Sequence, residues 1–180
     1  MKLLAMMFAV AIMAAGGPAA HGQTAERTVK EFYGEYVGRS VAGEGVSARD
    51  INVTISASKY GFNISWSTVS YRKSGKAKRK VYSIDFRKTN RDKIFQSSMR
   101  KNVFGKRVPN DPIKGDPYVW ARVTGDTLSV YALIVTADGG YDMQVYNRTL
   151  TENGLVLEFI RFLEGEKLKT ITGELKRVEK

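Results

Sequence analysis

The chain has no cysteine and a single histidine, His21, among its 180 residues. The first absence excludes a thiol nucleophile, a disulfide framework, an iron–sulfur cluster and every cysteine-bearing zinc site. The second leaves no Ser-His-Asp triad and no histidine-held metal, because His21 falls in a segment expected to be removed. Acid is also in deficit: 18 Asp and Glu stand against 29 Lys and Arg, a net charge of +11. No Walker loop, dinucleotide fingerprint or EF-hand is present, and Gly43-Glu44-Gly45 precedes no helix. The expectation is a protein that is not an enzyme and carries neither cofactor nor metal. Its 43% apolar content is enough for one packed domain.

Met1-Lys2, the apolar run Leu3 to Ala15 and the helix-breaking Gly16-Gly17-Pro18 form the three-part pattern of a secretory signal peptide. Small residues at Ala20 and Gly22 place the cut between Gly22 and Gln23. Residues 1–22 are thus read as a leader and 23–180 as one domain of 180 − 22 = 158 residues, secreted or periplasmic. The apolar run of 13 is shorter than the 18 or so residues that cross a bilayer, so no transmembrane segment is expected after processing.

Beyond the leader the period is that of strands. Ile51, Val53, Ile55 and Ala57 alternate with polar residues, as do Phe62, Ile64 and Trp66, and Tyr82, Ile84 and Phe86. After Pro117 the segments Tyr118 to Val123, Leu128 to Val135, Tyr141 to Leu150, Leu155 to Leu163 and Lys167 to Val178 are separated by short turns. These turns are Gly125-Asp126, Asp138-Gly139-Gly140, Asn153-Gly154 and Glu164-Gly165-Glu166. Short turns make sequential strands antiparallel neighbours. Residues 89–117, basic and interrupted by Pro109, Pro112 and Pro117, read as a long loop with a short strand or helical turn near Ile94 to Val103. The fold class is therefore all-β: an up-and-down meander of eight to nine strands closing into a barrel, with a two-sheet sandwich as the alternative.

Gly34-Glu35-Tyr36-Val37-Gly38 resembles the opening strand of the calycin barrels, the lipocalin, avidin and fatty-acid-binding group, with Tyr36 where that family places Trp. The resemblance implies a barrel floor closed by Tyr36 and a basic residue capping it, either Arg122 or Arg177. It also implies a ligand inside the barrel.

Two sets of residues are candidates for binding. Tyr36, Trp66, Tyr82, Trp120, Tyr131 and Tyr146 lie on strands and either line a ligand cavity or fill the interior. Between Arg72 and Arg107 there are 14 basic residues and two acidic ones, densest at Lys73, Lys76, Lys78, Arg79 and Lys80. Such a stretch either protects a solvated hairpin edge or meets an anionic lipid or polysaccharide surface; export weighs against nucleic acid. Leu155 to Leu163 is apolar on both faces and is a candidate homodimer contact. The expected function is binding of a small amphiphilic or anionic ligand, or of an anionic envelope surface. The alternative is a structural or protein-interaction module with a filled barrel. Acid pairs drawn from Glu35, Asp50, Asp85, Asp142 and Glu158 give a carboxylate hydrolase only remote support. The sequons at Asn52, Asn63 and Asn147 bear on function only in a eukaryotic host.

Overall fold

A computed structural model describes residues 27–41, 48–71, 76–97, 100–101, 107–108 and 110–179. The expected leader, residues 1–22, lies outside them, as does Lys73. In chain order the strands are β1 Gly34–Ser40, β2 Arg49–Ser58, β3 Gly61–Tyr71, β4 Ala77–Lys88, β5 Ile94–Ser97, β6 Arg100–Lys101, β7 Arg107–Val108, β8 Tyr118–Thr124, β9 Thr127–Val135, β10 Tyr141–Thr151, β11 Gly154–Leu163 and β12 Glu166–Arg177.

Ten of them form one closed antiparallel barrel in the order β1-β12-β11-β10-β9-β8-β5-β4-β3-β2, with β2 returning to β1. The meander is broken only between β5 and β8, where β6 and β7 pair with each other and a 3₁₀ turn at Pro112–Lys114 follows. Asp111 starts that turn by accepting from the Ile113 N–H, and Gly115, at φ 81°, ends it in the left-handed region. Within the 89–117 stretch Ile94–Ser97 supplies the tenth barrel strand, raising the expected count of eight to nine.

Hairpins with tight turns make the two ends of the barrel different. One end is closed. A 3₁₀ turn at Val29–Phe32 covers it, burying Val29 and Phe32 against Tyr36, Ile55, Phe62 and Leu175. Arg27 ties this turn to the β8–β9 connection, reaching Glu31 at 2.8 Å and Asp126 at 2.6 Å. Phe62 stacks on Phe86 and meets Phe95 edge-on, both with ring centroids 4.9 Å apart, so the lower half is filled by its own side chains. The core follows the strand period, with Val53 and Ile55, Phe62 and Ile64, and Val119, Ala121 and Val123 all pointing inward.

The first-strand motif has a physical role in this floor. Tyr36 is fully buried and its hydroxyl donates to the Phe32 carbonyl at 2.8 Å. Arg177 lies 4.9 Å over the Tyr36 ring and donates to the carbonyls of Tyr33 at 2.6 Å and Glu31 at 3.2 Å. Gly34 leaves space for it, because a Cβ there would stand 2.8 Å from the guanidinium. Of the two candidates for the capping residue, Arg177 holds the position; Arg122 is exposed on β8.

Candidate functional site: a cavity with a buried arginine

Toward the other end the barrel is hollow. A cavity of about 400 Å³ opens there, within the range of about 300–1,000 Å³ common for small-ligand sites. Its walls include Ile51, Trp66, Tyr82, Ile84, Tyr146 and Phe159. The aromatic members are mutually packed: Trp66 stacks on Tyr82 at 5.0 Å and meets Tyr146 at 5.9 Å, and Tyr146 meets Phe159 at 4.8 Å. Burial pushes the Tyr146 phenol above its ordinary pKa, and its hydroxyl donates to Gln144 Oε1 at 2.8 Å.

At the base of this apolar space sits Arg148, 3% exposed. Its guanidinium lies 5.7 Å from the Trp66 ring, and one terminal nitrogen donates a long 3.4 Å bond to the Tyr146 carbonyl. The Nε is buried without a hydrogen-bond partner. Among the described residues no carboxylate pairs with it, and burial pulls its pKa down from 12.5 to about 10. It is thus still a cation at neutral pH, held in a low-dielectric site without a counter-charge. Nearer the rim, Arg49 also lines the cavity with an unpartnered buried Nε, and Lys80 lines it from β4. The acid among the lining residues, Glu158, accepts from the Asn147 amide at 2.9 Å. Asp142 binds Arg161 through Oδ2 at 2.7 and 2.9 Å, which holds the Arg161 guanidinium above its ordinary pKa, while its buried Oδ1 has no hydrogen-bond partner.

The sequence candidates divide. Trp66 and Tyr82 line the cavity, and Tyr36 lies in the filled floor beneath it. Trp120 and Tyr131 are on the outer surface, stacked on each other at 4.9 Å, because Val119, Ala121 and Val123 take the inward positions of β8. Lys76, Lys78, Arg79 and Lys80 are exposed around the start of β4 at the open end. Arg148, Arg49 and Phe159 were not among the candidates. The available signal for Arg148 was its phase: it is two positions from Tyr146, hence on the same face of β10. In Leu155 to Leu163, Leu155, Leu157 and Phe159 face inward, whereas Val156 is exposed.

Comparisons of the chain with known protein families, with curated proteins and with solved structures return no match.

Proposed function

We propose that this protein is an exported, non-enzymatic carrier of calycin-like shape that binds a small amphiphile with an anionic head group inside the barrel. The observation that carries this reading is Arg148, a buried cation facing an apolar cavity with no carboxylate partner among the described residues. An isolated buried charge is destabilising, and a ligand carboxylate or phosphate supplies the missing partner by charge-assisted, two-pronged hydrogen bonding. The order of side chains along the cavity orients the ligand. Its head meets Arg148 at the base, while its apolar body lies against Trp66, Tyr82 and Phe159 toward the mouth. Arg49 and Lys80 add positive potential at the entrance.

The test compares dodecanoate with dodecanol, which share a chain and differ in head-group charge. The acid is expected to raise Tm and to change Trp66 emission, with the alcohol weaker by at least about tenfold, since a charge-assisted hydrogen bond contributes about 1.5–3 kcal/mol. Equal affinity for the two, or no response to either, refutes the reading. N-terminal sequencing of the exported protein checks the leader: Gln23 is the expected first residue.

A further inference from the structure

The outer surface of the barrel is two-sided. Outward positions of β2 and of the first part of β3 are polar, among them Asn52, Thr54, Ser65 and Ser67, opposite the buried Val53 and Ile64. On β8 to β11 a polar outward row, Arg122, Ser129, Asn147 and Glu158, lies toward the floor, and the outward positions nearer the open end are apolar. Register sets Trp120 against Tyr131, Tyr131 against Val145 and Val145 against Ile160, a continuous row across four strands. A second row, nearer the open end, runs from Tyr118 to Phe162. Tyr118 is half exposed and lies 5.7 Å from Trp120. A barrel that spans a bilayer needs an apolar band on every strand; a one-sided band suits a protein lying against a surface.

Among the described residues this face adjoins a gap in the strand pairing of the wall: β4 pairs with β5 only through Phe86, Arg87 and Lys88, so Ala77 to Asp85 have β3 on one side and no paired strand on the other. Tyr82 and Ile84 on one bank of this gap and Pro117 and Val119 on the other belong to the cavity wall. Along the β4 bank Lys78, Arg79 and Lys80 are all exposed, Arg79 on the outer phase and Lys78 and Lys80 on the cavity phase at its mouth, and the β8 bank carries Tyr118 and Trp120 on the outside. Cations beside Tyr and Trp match the two layers of an anionic membrane interface, phosphates outermost and the glycerol region beneath.

We infer that this face docks on the surface of an anionic bilayer, Trp120 and its tyrosine neighbours entering the head-group region and Lys78, Arg79 and Lys80 engaging lipid phosphates. The β4–β8 gap then opens at the membrane, and the amphiphile passes between bilayer and cavity without crossing water. The inference rests on the carrier reading above, and the chain's two tryptophans let the two fail separately. Trp66 is inside and Trp120 outside, so Trp66→Phe leaves a reporter of docking and Trp120→Phe leaves a reporter of the cavity.

With vesicles of equal parts phosphatidylcholine and phosphatidylglycerol, brominated in their acyl chains, Trp120 emission should move to the blue and be quenched. Co-sedimentation of the unaltered protein with the same vesicles should weaken with salt. It should fall on the order of 100-fold when Lys78, Arg79 and Lys80 are all changed to Ala. Trp120 emission unmoved by these vesicles, binding equal on phosphatidylcholine alone, or a shift produced by protein concentration without lipid overturns the inference, the last marking a second copy on this face. A soluble brominated fatty acid quenching Trp66 in the Trp120→Phe protein tests the cavity alone. If it quenches while the vesicles leave Trp120 unchanged, the carrier reading stands and the docking falls. If it does not, the carrier reading falls, and ligand transfer at the membrane falls with it.

Discussion

Replacing Arg148 with Met should make the protein more stable and less able to bind its ligand. Burial moves the guanidinium pKa from 12.5 to about 10, and at about 1.4 kcal/mol per tenfold the folded state bears about 3 kcal/mol for keeping it charged. Met fills a similar elongated volume but forgoes the contact with Trp66, about 1 kcal/mol for a partly desolvated cation over a ring. The net gain is about 2 kcal/mol, or roughly 4–8 °C in Tm for a domain of this size. The pH dependence carries a second signature. The unfolded chain holds the Arg148 proton more tightly than the folded chain, so the penalty is full below about pH 10 and is relieved as pH rises above it. The stability difference between the Met variant and the unaltered protein should therefore narrow above about pH 10. Affinity for dodecanoate should drop about 10- to 150-fold while that for dodecanol holds. Calorimetry of both proteins, with and without each ligand, measures all of this. A variant that loses several degrees in Tm would mean that Arg148 is well partnered in the folded state, and the reasoning would be wrong.

Arg177→Ala removes the contact with Tyr36 and two hydrogen bonds to carbonyls. It should lower stability by about 2 kcal/mol, read by urea unfolding, without changing ligand affinity. Phe62→Ala opens a void between Phe86 and Phe95 in the filled half and should cost about 3–5 kcal/mol by the same assay. Binding of a fatty acid, followed by isothermal titration, should hold steady between about pH 5 and pH 10. It should weaken on the acid side as the ligand carboxyl takes up its proton and on the basic side as Arg148 gives its proton up.

The meander was legible because its turns are chemically explicit. Gly125-Asp126 falls between β8 and β9, and Glu164-Gly165 between β11 and β12, Gly125 with φ 52° and Gly165 with φ 86°. The tenth strand was legible only as a short strand or helical turn near Ile94 to Val103, because Ile94–Ser97 is only four residues long and is held by pairs to β4 and β8 that no local pattern encodes. The face of each aromatic was the harder problem. Tyr118 to Val123 carries apolar residues in both phases, with Arg122 the one polar member of the Trp120 phase, and the packing of Val119, Ala121 and Val123 in the core sends Trp120 outward. On β10 the usual rule inverts. Met143 and Val145 look like the buried phase, yet Asp142, Gln144, Tyr146 and Arg148 face the interior.

That inversion connects the two halves of the molecule. A strand presents polar residues to its own barrel interior only if stability comes from elsewhere, since each such residue forgoes apolar burial and Arg148 adds a desolvation penalty. The aromatic floor under Tyr36, with the Val29–Phe32 turn and Arg177 closing it, supplies that stability at one end. The hollow end is thereby freed from having to be well packed. The same argument explains why β10 is apolar on its outside near the open end: Val145 continues the row begun by Trp120 and Tyr131, and Met143 the row begun by Tyr118, so this hydrophobic phase serves the outer surface. If the floor carries the stability and β10 the binding, substitutions should separate accordingly. Changes at Phe62 or Arg177 should move Tm and leave affinity, whereas a change at Arg148 should move the two in opposite directions. A floor substitution that abolished ligand binding in protein still fully folded by circular dichroism would refute this division.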